Sequence, residues 1–296
     1  MERKMNNALR LSRLVLQSVS VSIRSSILIC HGLLGSKQNW KSISKALAQN
    51  NCGTVVAVDL RNHGSSPHSD YMSYLHMAED ILAVVDDLSL QNVCLVGHSM
   101  GGKAVMCAAL MRPEKYNKLV VIDISPKPKS AVRSLTPLVD LMSSVNLQVL
   151  GHKYNGNISL VRNSLIKEWS ETVSNPTMLA FILTNLIEKN GEILWKVNLS
   201  SVKNCWNQIA SFPTELDGRV YSQPVLFIAA SDETYLGQSD VPAIRKYFPQ
   251  AKILRIANTG HWVHFDAPNT VINLITTFIL EKPFDLTSFT DVTELI

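Results

Sequence analysis

The sequence predicts an α/β protein with a mostly parallel sheet and helices on both faces. Three observations carry this expectation. Short apolar, β-branched runs recur along the chain, helix-period segments separate them, and one run leads through a glycine-serine turn directly into a helix at residues 93–110. Strands buried on both faces read as unbroken apolar runs rather than alternating ones, and these do.

Taken in order, Ser26-Ile27-Leu28-Ile29-Cys30 reads as a buried strand, residues 40–49 as a short helix, and Thr54-Val55-Val56-Ala57-Val58 as a second strand. A helix over 74–88 follows, with Ser73 placed to cap it. Val93-Cys94-Leu95-Val96 is the next strand, 103–110 its helix, ending near Arg112-Pro113, and Leu119-Val120-Val121-Ile122 a further strand. Val225-Leu226-Phe227-Ile228-Ala229 and Ile253-Leu254-Arg255-Ile256 are late strands, and 269–280 is the last helix. Between 130 and 207 the pattern becomes helical throughout, marked by Leu138, Leu141, Met142, Val145, Ile166, Trp169, Met178, Phe181, Ile182 and Ile187, with no strand interrupting it. The expected organisation is a core over 26–129, a helical cap over 130–207 and the rest of the core over 208–296. The cap's aromatic and methionine side chains are placed either to line an acyl pocket or to pack the cap itself. No internal repeat or low-complexity segment is present.

The chain has 296 residues, 46% of them hydrophobic and 18% charged, enough to bury a substantial core. A net charge of +4, with no dense Lys/Arg run, argues against a nucleic-acid partner, and Lys127-Pro128-Lys129 reads as a solvated loop. The five cysteines, Cys30, Cys52, Cys94, Cys107 and Cys205, form no C-x-x-C pair and read as reduced core thiols. No apolar run is long enough for a membrane span. Residues 1–25 admit two readings. Arg3, Lys4, Arg10, Arg13 and Arg24 among serines, with Glu2 the sole acid, have the composition of a mitochondrial transit segment, whereas Leu9-Arg10-Leu11-Ser12 and Leu14-Val15-Leu16 read as divergent first strands.

The chemistry centres on Gly97-His98-Ser99-Met100-Gly101. Strand, G-x-S-x-G and helix together define a nucleophile elbow, a strained turn that lifts the serine hydroxyl to a helix N-terminus. A serine nucleophile needs a base. His261, in Gly260-His261-Trp262-Val263-His264 after the last strand, fits the chain order of α/β-hydrolases. His264 is spaced to share a metal with His261, but no third ligand is in view, and because a triad and an oxyanion hole supply the chemistry, neither a metal nor an organic cofactor is implied. The oxyanion needs two backbone donors. Met100 follows the nucleophile, and the loop His31-Gly32-Leu33-Leu34-Gly35-Ser36 offers Leu33. The acid has two candidates at strand ends, Asp123 and Glu233, with Asp232 beside the latter. Asp59 and Arg61 read as ties for a tight loop turned by Gly64, and His63 precedes the nucleophile and reads as structural.

As an ordered set spanning about 26–282, these motifs, with Asn39-Trp40, Asp59-Leu60-Arg61-Asn62-His63-Gly64, Asp123-Ile124-Ser125-Pro126 and Leu194-Trp195-Lys196-Val197-Asn198-Leu199, resemble the α/β-hydrolase domain-containing protein 11 type and related small bacterial esterases. The resemblance implies an α/β-hydrolase fold and a serine carboxyl-ester hydrolase whose acid is Asp123. It also implies acylglycerol substrates and a mitochondrial location, as in animal members, with the cytoplasm as the alternative. Bacterial members read G-G-N-S where this chain has Ala230-Ser231-Asp232-Glu233, which keeps Glu233 in play. The expected partner is a small acyl ester or lipid. The same site would also serve a thioesterase or acyltransferase, and a fold kept as a non-catalytic binding partner is the remaining alternative.

Overall fold

The computed structural model describes residues 8–18 and 25–295. Its centre is an eight-stranded sheet. The strands are β1 (Arg13–Leu16), β2 (Ser26–Cys30), β3 (Thr54–Val58), β4 (Val93–His98), β5 (Tyr116–Ile122), β8 (Val225–Ala229), β9 (Ala251–Ile256) and β10 (Val292–Glu294), while β6 (Leu186–Lys189) and β7 (Glu192–Trp195) form a separate hairpin. The spatial order is β1-β3-β2-β4-β5-β8-β9-β10, parallel throughout except at the antiparallel edges β1 and β10.

Side chains alternate across the central strands and split the core into two layers. Leu28, Cys30, Val56, Val58, Leu95, Val121 and Phe227 face one side. Ile27, Ile29, Val55, Ala57, Val96, Val120 and Ile228 face the other. The first layer is covered by α2 (Tyr74–Asp87), α3 (Met100–Met111) and α10 (Val241–Tyr247); the second by α1 (Lys41–Gln49), the short α11 (Val263–Asp266) and α12 (Pro268–Ile279). Ser73 caps α2 by accepting from the His76 N–H. All five cysteines are buried and free.

After β5 the chain leaves the sheet and returns at β8. The excursion contains the 3₁₀ turn Ser130–Leu135, α4 (Thr136–Ser144), α5 (Leu147–Lys153), α6 (Ile158–Trp169), α7 (Pro176–Leu183), the β6–β7 hairpin, α8 (Leu199–Asn204) and α9 (Trp206–Ala210). The hairpin corrects the expectation of an uninterrupted helical cap. Asn190 and Gly191 both take positive φ, 55° and 83°, as a tight two-residue hairpin turn requires. Leu186 and Ile193 point inward while Glu188 and Glu192 stay exposed, so Ile187 belongs to a strand and not to a helix face. Lys127 and Lys129 also depart from the solvated-loop expectation, because both pair with the buried Asp240.

At the other edge, residues 13–16 pair with β3, Leu11 is buried, and Leu9 donates its N–H to Asp80. Arg3, Lys4 and Arg24, which carry much of the transit-segment composition, lie outside the described residues. Among the described residues no helix is long and apolar enough to cross a membrane.

Candidate active site

Strand order reverses between β2 and β4, and the crevice outside the carboxyl ends of such strands is where an α/β sheet can admit a ligand. Ser99 sits there, between β4 and α3, with φ 53° and ψ −117°. A non-glycine residue in this region carries about 1–3 kcal/mol of strain, which the surroundings must hold in place. They do so by contact. A Cβ on Gly97 would lie 2.3 Å from the Gly101 carbonyl oxygen, and one on Gly101 would lie 2.4 Å from the Cys30 oxygen. Only glycine lets the elbow pack this closely against β2 and its own helix.

His261 lies on the loop after β9. Its Nε2 is 2.9 Å from Ser99 Oγ and its Nδ1 is 2.7 Å from Asp123 Oδ2. The bonds are consistent with one tautomer, in which Nδ1–H donates to Asp123 and Nε2 accepts from Ser99. Asp123 is fully buried just after β5, and its Oδ1 accepts from the Ala230 N–H at 2.9 Å. Burial pushes the His261 imidazole down to about 4, keeping it neutral near pH 7, the form a general base needs. Burial also raises the Asp123 carboxyl, a shift the Ala230 N–H opposes.

Glu233 does not reach His261. Its Oε1 is 2.6 Å from Arg255 and its Oε2 accepts from the Gln238 N–H, in an exposed turn where the Arg255 bond holds its carboxyl below the usual range. Asp232 is also exposed, with Oδ1 turned back to the Thr234 N–H. Asp123 therefore occupies the position for which Glu233 was the alternative.

The loop opposite the elbow is built from neutral histidines. Nε2 of His63 accepts from the Leu34 N–H at 3.1 Å while its Nδ1 bonds the Arg61 carbonyl; Nε2 of His31 accepts from the Leu60 N–H at 3.0 Å. Burial pushes His63 down to about 3. With the Leu34 N–H engaged, the neighbouring Leu33 N–H has no intramolecular acceptor among the described residues, and the Met100 N–H is an orphan donor at the first turn of α3. Asp59 and Arg61 brace this loop. Asp59 accepts from the Lys37 and Ser65 N–H groups, and Arg61 forks onto the buried Asp80 and onto the Tyr71 carbonyl. Gly64, at φ 57°, leaves the space that Asp59 fills.

Two contacts have no obvious signature in the sequence. His98 bonds the His261 carbonyl through Nε2 at 2.8 Å, tying the elbow to the histidine loop. Tyr235 stacks on the His261 ring, centroids 3.6 Å apart and planes 17° apart, with its hydroxyl 3.3 Å from the Ala131 carbonyl. His264 stacks on Trp40, and no group of three or more His, Cys, Asp or Glu side chains placed to hold a metal ion occurs among the described residues. The crevice over Ser99 is lined by Leu33, Met100 and Ile124, and by Val132, Leu135 and Ile209 of the excursion, with Tyr74 and Tyr235 at its sides.

A parallel sheet whose central strand ends in a serine elbow, faced by a histidine and a buried aspartate, defines an α/β-hydrolase. The model for the alpha/beta hydrolase fold matches residues 26–268, and the chain belongs to that family. Within it the chain is of the esterase/lipase type. It is 38% identical to the mouse sn-1-specific diacylglycerol lipase ABHD11 over 86% of this chain and 80% of that one. It is 28% identical to the Escherichia coli esterase YbfF over 86% and 93% of the two chains. A solved marine microorganism esterase superposes with a TM-score of 0.82 at 31% identity, covering 92% of this chain and all of that one.

Proposed function

We propose that the protein cleaves carboxylic acyl esters, acylglycerols among them, through a covalent acyl-enzyme on Ser99. The observation that carries this reading is the unbroken chain from Ser99 Oγ to His261 to Asp123, at 2.9 and 2.7 Å. His261 Nε2 takes the Ser99 proton as Oγ attacks the ester carbonyl carbon, and Asp123 stabilises the imidazolium that forms. The Leu33 and Met100 N–H groups receive the negative charge on the tetrahedral oxygen. Collapse breaks the bond to the alcohol oxygen, which takes the proton back from His261. Water, deprotonated in turn by His261, then attacks the acyl-enzyme, releases the carboxylic acid and restores Ser99. Acylglycerols enter the proposal through the likeness to relatives named as diacylglycerol lipases. The test compares hydrolysis of matched p-nitrophenyl and thioester acyl donors by wild type and Ser99→Ala. The reading expects ester turnover that falls by about 10⁶ in Ser99→Ala. A strong thioester preference would replace it with a thioesterase, and turnover surviving in Ser99→Ala would overturn it.

A further inference from the structure

The crevice over Ser99 is walled on the excursion's side by Val132, Leu135 and Ile209. An acyl chain carried on Ser99 would run against these three side chains. What holds that roof down is a feature the hydrolytic mechanism does not use. Lys103 lies four residues beyond the nucleophile on α3 and is completely buried. Its Nζ donates to the Ser211 carbonyl at 2.7 Å and approaches the Ala210 carbonyl at 3.4 Å. The Tyr74 hydroxyl donates to the Ile209 carbonyl at 2.6 Å, and the Lys129 N–H donates to the Ala210 carbonyl at 2.8 Å. Three successive carbonyls at the carboxyl end of α9 are thus held from the core, and the first belongs to a residue whose side chain lines the crevice.

A lysine is an expensive choice for this position. No carboxylate lies within ion-pair distance of it among the described residues, and burial pushes its ammonium down to about 7. An apolar side chain of similar length would pack there without that desolvation cost. What the lysine supplies is a directional grip on α9 from the helix that carries the nucleophile.

We propose that Lys103 is a specificity-determining positioning residue, which fixes Ile209 over Ser99 through the 210 and 211 carbonyls and so restricts the acyl group to short chains. The proposal rests on Ser99 being the acylated nucleophile. Its test measures kcat/KM for p-nitrophenyl butyrate and p-nitrophenyl decanoate in wild type and Lys103→Met, with fluorophosphonate labelling of Ser99 and circular dichroism on each protein. Wild type is expected to prefer butyrate, and Lys103→Met to raise the decanoate-to-butyrate ratio by about tenfold or more, the scale on which a hydrophobic pocket discriminates chain length. Tyr74→Phe removes one hydroxyl from the same grip, leaves the ammonium in place, and is expected to move the ratio the same way by roughly threefold. It carries the test if Lys103→Met does not fold. A purely structural lysine would lower both esters together. An unchanged ratio in folded, labelled variants overturns the proposal. A folded wild type that does not label overturns the hydrolase reading beneath it instead.

Discussion

The neighbouring strands β5 and β8 are each followed by a carboxylate beyond their carboxyl ends, and the two have opposite fates. Asp123 follows β5 by one residue, takes positive φ at 49° and is fully buried between the His261 imidazole and the Ala230 N–H. Glu233 sits four residues beyond β8, exposed and drawn to Arg255. The difference lies in how tightly the backbone fixes the side chain. Asp123 is joined directly to the last residue of β5, and its own N–H bonds the Ile228 carbonyl of β8. Glu233 has a loop and a longer side chain, and it settles on the half-buried Arg255 within reach. What the β8 loop does deliver to the site is an aromatic ring, Tyr235, which stacks on the histidine.

Several measurements could break that contrast. Asp123→Asn should lower kcat by about 10⁴, because an amide favours the wrong imidazole tautomer; a loss near tenfold would mean another group orients His261. The pH profile is the next largest effect. Because burial holds His261 at about 4, kcat/KM should stay level from pH 7 downward and fall as pH drops through about 4. A midpoint near the ordinary histidine value would show that the imidazole is solvated in solution. Tyr235→Ala should cost about tenfold in kcat through a loosened histidine, while Tyr235→Phe, which keeps the stacked ring, should stay within about threefold. Equal losses in both would shift the role from the ring to the hydroxyl on Ala131. Glu233→Gln should change kcat by less than about twofold, since an exposed ion pair contributes little and this one lies away from the reacting atoms.

Much of this architecture was legible in the residues themselves. The inner strands, buried on both faces, wrote themselves as apolar runs, and β2, β3 and β8 fall on the residues expected. Ser99 and His261 were legible because their chemistry demands a particular local geometry, a glycine-walled elbow and a loop after the last parallel strand. The residues alone left Asp123 and Glu233 open and only the resemblance pointed to Asp123, because the choice depends on loop rigidity and on Arg255, a residue of β9. The β6–β7 hairpin was missed although Asn190-Gly191 signalled it, since its four-residue strands hold too few apolar positions to outweigh the helical pattern around them. Lys103 and Tyr235 left no trace in one dimension. Their partners, the carbonyls after α9 and the His261 ring, are more than twenty residues away in each case and are met only in the fold.

The account stands on Ser99 as the attacking atom, and covalent labelling addresses that most directly. Folded wild-type protein treated with a fluorophosphonate should gain one adduct, located on Ser99, and folded Ser99→Ala should gain none. Absence of an adduct on the folded wild type, or equal labelling of Ser99→Ala, would contradict it.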